Sequence, residues 1–291
     1  MKFDEAYSGN VFIAAHPHYE DAEVVIYGMP MDFTVSYRPG SRFGPKKIRE
    51  VSIGLEEYSP YLNRELKEVK YFDAGDIPLP FGNPERSVEM IGDYVRKILN
   101  DGKFPLGLGG EHLVAWPIIQ EVYKKYPDLV VIHMDAHTDL RTDYEGEPYS
   151  HATPIRKVVE LMGGKNVYQF GIRSGLKEEF EFAKEYMNFY PFEVLEPLKK
   201  VLPTIKNRPA YITIDIDVLD PAFAPGTGTL ESGGISSKEM LAVIHEIANS
   251  GIKVVGADIV EVAPVYDPAD QTAILASKMV REILLGWTQN Q

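Results

Sequence analysis

Short runs of consecutive apolar residues recur along the chain, at Val24–Met29, Val69–Phe72, Phe104–Leu108, Leu129–Met134, Val167–Gly171, Ala210–Ile216 and Val254–Val260. Several are apolar on successive rather than alternate positions, as expected of strands covered on both faces of a parallel sheet. Between them the period lengthens. Over Ser87–Asn100, Val88, Ile91, Val95, Ile98 and Leu99 share one stripe, which predicts an amphipathic helix. Ser236–Ser250 predicts another, opened by Ser236 and Glu239 at capping-box spacing and stopped by Gly251. A last helix over about Thr272–Leu285 carries Ile274, Leu275, Met279, Ile283 and Leu284 on its apolar positions. Strands alternate with helices, no repeat is visible and no long polar linker intervenes, so residues 1–291 read as one α/β domain. The Pro- and Gly-rich stretches Arg38–Pro45, Pro78–Pro84 and Asp220–Gly234 are expected to form loops at the mouth of a site.

Composition narrows the class. The chain is 44% apolar and 25% charged, ordinary for a soluble globular protein. No apolar run approaches the ~20 residues of a membrane span. The start, MKFDEAYSGN, lacks the cationic and apolar segments of a secretory signal, and a cytoplasmic location is expected. The chain has no cysteine, which removes disulfides, thiolate metal sites and cysteine nucleophiles. A net charge of −13 argues against nucleic acid as a partner. It fits a cationic substrate, although acidity for solubility alone would look the same.

Three segments carry candidate chemistry. Leu106–His112 runs from a strand through glycines to a histidine, without the Gly-Lys-Ser/Thr ending of a phosphate loop or the spacing of a dinucleotide fingerprint. Its glycines suit a backbone passing close to a buried ion. In the second segment, Asp135, His137 and Asp139 are spaced by two after an apolar strand, so an extended chain throws all three to one side. Such groups would repel or stay unpaired without a cation, unless the segment is a solvated loop. In the third, Asp215 and Asp217 share one strand face while Ile214 and Ile216 take the other, which again implies a shared cation. Asp220, before a proline, is expected to shape the turn instead.

His112, Asp135, His137, Asp139, Asp215 and Asp217 together make four carboxylates and two imidazoles. That is too much negative charge for one ion and suits two, sharing bridging carboxylates roughly 3.5–4 Å apart. The donor set favours manganese over zinc or iron. A hydrolase with a two-metal centre at strand C-termini is the expectation.

At these residues the chain resembles the arginase/agmatinase family of ureohydrolases. GGEH at Gly109–His112, DAHTD at Asp135–Asp139, SHATP at Ser150–Pro154, DIDVLDP at Asp215–Pro221 and DIVEVAP at Asp258–Pro264 occur in the family's order. The resemblance implies a three-layer α/β/α fold with a largely parallel eight-stranded sheet, two Mn2+ ions, and a homotrimer or homohexamer. It implies that His112 and Asp139 hold one ion, His137 and Asp217 the other, and that Asp135 and Asp215 bridge. His151 matches the family's proton-transfer histidine and Glu261 the carboxylate that pairs with a guanidinium; Asp139 joins them in catalysis. A hydroxide bridging the metals would attack the guanidinium carbon, releasing urea and an amine. By residue type alone, His151 would equally suit a solvated loop.

The substrate reading rests on the loop after Asp139. Arginases receive an α-carboxylate there with asparagine and hydroxyl groups, whereas this loop carries Asp143, Glu145 and Glu147, which would repel a carboxylate and accept an ammonium. YDPADQTAILASK at Tyr266–Lys278 also looks most like agmatinases. Agmatine is therefore the expected substrate, with putrescine and urea as products. Arg141 keeps 4-guanidinobutyrate as an alternative, with arginine behind it. A deacetylase-type amidohydrolase would need a His-His pair that the chain lacks, and a non-catalytic metal-binding protein would have little reason to keep His151 and Glu261.

Overall fold

A computed structural model describes residues 11–288. The polar amino-terminal stretch Met1–Asn10 discussed above lies outside the described residues. Eight strands form one sheet: β1 (Val24–Met29), β2 (Tyr71–Asp76), β3 (Phe104–Gly109), β4 (Val130–Met134), β5 (Val167–Phe170), β6 (Asn188–Tyr190), β7 (Pro209–Asp215) and β8 (Lys253–Val260). Their order is β2-β1-β3-β8-β7-β4-β5-β6, and every neighbouring pair is parallel. The expected parallel eight-stranded sheet is therefore present.

The consecutive apolar runs are explained by two cores. Ile26, Leu106, Ile132, Ile212, Ile214 and Ile259 point to one face. There they meet α1 (Gly44–Ser52), α6 (Leu195–Ile205), α7 (Ser237–Ser250) and α8 (Gln271–Trp287). Val25, Tyr27, Val131 and Tyr211 point to the other, against α2 (Pro84–Asn100), α3 (Ala115–Lys125), α4 (Pro154–Met162) and α5 (Lys177–Tyr186). Each large aliphatic side chain buried this way contributes about 1.5–3 kcal/mol before entropy is counted. The result is a three-layer α/β/α domain.

Helix ends follow local chemistry. Asn83 accepts Arg86 N–H and starts α2 three residues before the expected Ser87, with Pro84 fitting the first turn. Ser236 accepts Glu239 N–H at 3.1 Å, and Gly251 closes α7 at φ +73°, both as expected. The strand expected at Val69–Phe72 forms instead at Tyr71–Asp76. Asp73 can lie inside it because Arg49 Nε pairs with Asp73 Oδ2 at 2.8 Å, both side chains buried. Among the described residues no helix is long and apolar enough to cross a membrane.

Candidate metal centre and its cleft

The four central strands β3, β8, β7 and β4 each release a candidate site residue at the carboxyl end. After β3, Gly110 passes so close to residue 31 that a Cβ would lie 1.9 Å from Met31 O. Gly110 thus lets backbone pack on backbone, while Gly107 and Gly109 make room for the side chains of Met29, Asp258 and Val260. Glu111 N–H then donates to Met31 O at 2.7 Å, and His112 opens the turn into α3. After β4 come Asp135, His137 and Asp139, but the extended alternation stops early: Asp139 has φ +53°. After β7, Asp215 Oδ1 accepts Asp217 N–H at 2.9 Å across a 3-10 turn. A turn, rather than a shared strand face, brings these carboxylates together. Asp220 accepts Ala222 N–H at 3.0 Å and Gly233 N–H at 2.8 Å, shaping the loop as expected.

His112 Nδ1 lies 2.9 Å from Asp135 Oδ2, 3.1 Å from Asp139 Oδ2 and 3.3 Å from Asp215 Oδ2. Nδ1 nevertheless makes no aligned hydrogen bond. On the ring's other side, Nε2 is 2.9 Å from Thr213 Oγ1, whose own proton goes to Asp258 Oδ1 at 2.6 Å. Thr213 must therefore accept from Nε2–H, and a neutral ring turns a bare lone pair toward three carboxylates. A divalent cation resolves that arrangement, and backing an imidazole through its far nitrogen is how metal-binding histidines are oriented. The residues fit a metal.

A second cluster adjoins the first. His137 Nδ1 is 2.9 Å from Asp217 Oδ2 and 3.6 Å from Asp135 Oδ1. Asp135 thus offers one oxygen to each imidazole. His133 also reaches Asp135, its Nε2 2.8 Å from Oδ2, while its Nδ1 takes a hydrogen bond from Gln169 Nε2 at 3.0 Å. With both nitrogens engaged and the ring fully buried, His133 steadies Asp135.

Electrostatics show the same stress. Burial would raise the Asp135 pKa, but His112, His133 and His137 outweigh it and hold it well below the usual range. Burial and the charges of Asp217 and Asp135 drive Asp215 well above it. Burial disfavours the His112 imidazolium, yet the surrounding carboxylates lift its pKa well above normal. Divalent cations would take over the charge balance that protons provide here.

Above the ligands lies a cavity of about 300 Å³ that His151 and Glu261 help to line. Glu261 follows β8 at φ +64°, and its Oε1 accepts His112 N–H at 2.9 Å. Burial and nearby Glu111 push its carboxyl up to about 8, a state that a cationic ligand would reverse. His151 Nδ1 is 2.7 Å from Thr34 O and must donate to it, so Nε2, 3.2 Å from Ser36 Oγ, carries the lone pair. Burial lowers the His151 pKa. His16 and His18 meet edge-to-face away from the site, and His245 pairs with Glu282 at 2.8 Å.

The acidic loop behaves differently from expectation. Asp143 Oδ1 accepts Gly146 N–H and Glu147 Oε1 accepts Tyr149 N–H, while Glu145 and Glu147 border an adjoining hollow beside Phe33–Ser36. None of the three lines the metal-site cavity, whereas Arg141 does. The cavity's other carboxylates are Glu179 and Glu231, which sequence reasoning missed. It also missed Thr213, Gln169 and Asp258, although a polar residue inside an apolar strand is a visible signal.

The arginase family model matches residues 22–286. A protein of Bacillus anthracis named agmatinase is 74% identical over 99% of this chain and 100% of its own length. The agmatinase of Bacillus subtilis (strain 168) is 69% identical with the same coverage. The crystal structure of the agmatine ureohydrolase of Thermoplasma volcanium superimposes with a TM-score of 0.87 at 31% identity, over 97% of this chain and 95% of that one.

Proposed function

The chain belongs to the arginase family, and we propose on that premise that it hydrolyses agmatine to putrescine and urea. The observation that carries this reading is Asp135, whose two oxygens reach His112 and His137 separately, as suits a carboxylate shared by two ions. His112 and Asp139 would hold one ion, His137 and Asp217 the other, and Asp135 and Asp215 both. The carboxylate-rich donor set without sulfur suits manganese. Bound there, the ions would supply a nucleophile at neutral pH by acidifying water.

The chain's own groups do the rest. Glu261, already fixed by His112 N–H, keeps carboxylate capacity for the guanidinium and orients its carbon toward the ligand cluster. Cleavage of the C–N bond to the butyl chain leaves an amine that must gain a proton. Asp139 takes the proton that water loses, and His151, its Nε2 free of hydrogen at rest, collects a proton there and delivers it to the amine. Burial keeps His151 neutral at rest, so it can accept before it donates.

The test is urea release from agmatine, arginine and 4-guanidinobutyrate with manganese present, agmatine being the preferred substrate. No urea from any of them would sink the enzymatic reading; arginine preference would sink only the choice of substrate. Arg141 in the lining is what favours 4-guanidinobutyrate as the second reading.

A further inference from the structure

The cavity's lining falls into two contiguous groups of unlike charge. Arg141 lies over the Tyr144 ring, its guanidinium carbon 5.0 Å from the centroid, and Tyr144 packs on His151 at 5.5 Å, so the cation belongs to the His151 wall. Ser174, Gly175, Glu179 and Glu231 form another wall, without a cation in the lining. Glu179 is buried at the amino end of α5, where its Oε2 receives Leu176 N–H at 2.6 Å. Glu231 is half-buried, and its Oε1 accepts the Ser174 hydroxyl at 2.8 Å. Among the described residues its Oε2 receives no hydrogen bond, which leaves acceptor capacity for a cation.

Glu231 also stands at a fixed reach from the metal cluster. Arg173 Nη2 donates to Glu231 O at 2.9 Å and to Asp217 O at 2.6 Å. One guanidinium thus ties the backbone of a candidate ligand to the backbone carrying the free carboxylate. Ser174 itself bridges to His137, so the hydroxyl orienting Glu231 is anchored to the centre as well.

From these contacts we infer that Glu231 is the specificity-determining residue that receives the primary ammonium of the substrate's tail, with Ser174 orienting it and Arg173 setting its distance. This rests on the agmatine reading and replaces Asp143, Glu145 and Glu147 as the source of that selectivity. A tail ending in a carboxylate would be repelled by Glu231 and would have to turn to Arg141.

The experiment compares wild type with Glu231→Gln, both manganese-loaded, on agmatine and 4-guanidinobutyrate. Loss of a charge-assisted hydrogen bond raises KM for agmatine about 10-fold or more with kcat nearly unchanged. The preference for agmatine over 4-guanidinobutyrate falls by a similar factor, and calorimetric binding of putrescine weakens in parallel. Glu145→Gln and Glu147→Gln change none of these. An unchanged KM and preference in Glu231→Gln, or an equal loss of kcat on both substrates, overturns the assignment. A wild-type enzyme that does not prefer agmatine refutes the substrate reading itself, a result distinct from either.

Discussion

Glu111 holds Thr34 twice: its Oε2 accepts the Thr34 backbone N–H at 2.9 Å and the Thr34 hydroxyl at 3.0 Å. Thr34 in turn holds His151 twice, its Oγ1 accepting His151 N–H at 2.9 Å and its carbonyl accepting Nδ1–H at 2.7 Å. The residue next to His112 in sequence therefore fixes the position and tautomer of a histidine that lies on another loop.

Replacing Thr34 by Val keeps the shape and the carbonyl but removes the hydroxyl from both partners. The loop carrying His151 loses one of its two anchors, and kcat for agmatine should fall roughly 10- to 100-fold, the scale of a misplaced reacting group. KM and manganese content should hold steady. Steady-state kinetics beside metal analysis checks this; an unchanged kcat would reduce Thr34 to loop packing.

Asp135→Ala removes the carboxylate shared by both imidazoles. Manganese stoichiometry should drop below two per chain and turnover should nearly vanish, read by atomic absorption and urea release. The variant should also lose much of the rise in thermal midpoint that manganese gives wild type, because an ion that binds only the folded state stabilises it. Full activity with one tightly bound ion would contradict the two-ion scheme.

Glu282 offers a pH signature away from the centre. Burial would raise its pKa, but His245, the Ser59 hydroxyl and Arg281 outweigh burial and hold it below the ordinary value. The unfolded chain then binds this proton more readily than the folded one. The resulting stability is fully present above an unfolded pKa of about 4.3 and is lost as pH falls through the folded value. Wild type should exceed Glu282→Gln by roughly 1–3 kcal/mol near neutrality. Urea denaturation should show that gap closing below about pH 4.3; a gap independent of pH would show that charge has no part in it.

What the sequence made legible was whatever repeats or aligns. The strand cores were visible because successive residues such as Val131 and Ile132 face apolar layers on opposite sides, and the six ligands because charge at strand ends has few other uses. Hidden were features that depend on a distant partner. Asp73 reads as a strand breaker until Arg49 is beside it. β6 was missed because Asn188, Phe189 and Tyr190 form a short, half-buried edge. The acidic loop misled because spacing gives composition but not direction: Asp143 and Glu147 turn back on their own backbone. Glu231 sits in a loop of ordinary turn residues, and only Ser174 and Arg173, far earlier in the chain, single it out.

β8 is the sole link between the half-sheets β2-β1-β3 and β7-β4-β5-β6. His112 stands on one half and the other five candidate ligands on the other, so the centre straddles a seam closed by the last of the eight strands in sequence order. The full ligand set is gathered only where Lys253–Val260 slots between the two halves. Loosening that strand would therefore part His112 from Asp135, Asp139 and Asp215, while His137 and Asp217 would stay together on their own half-sheet.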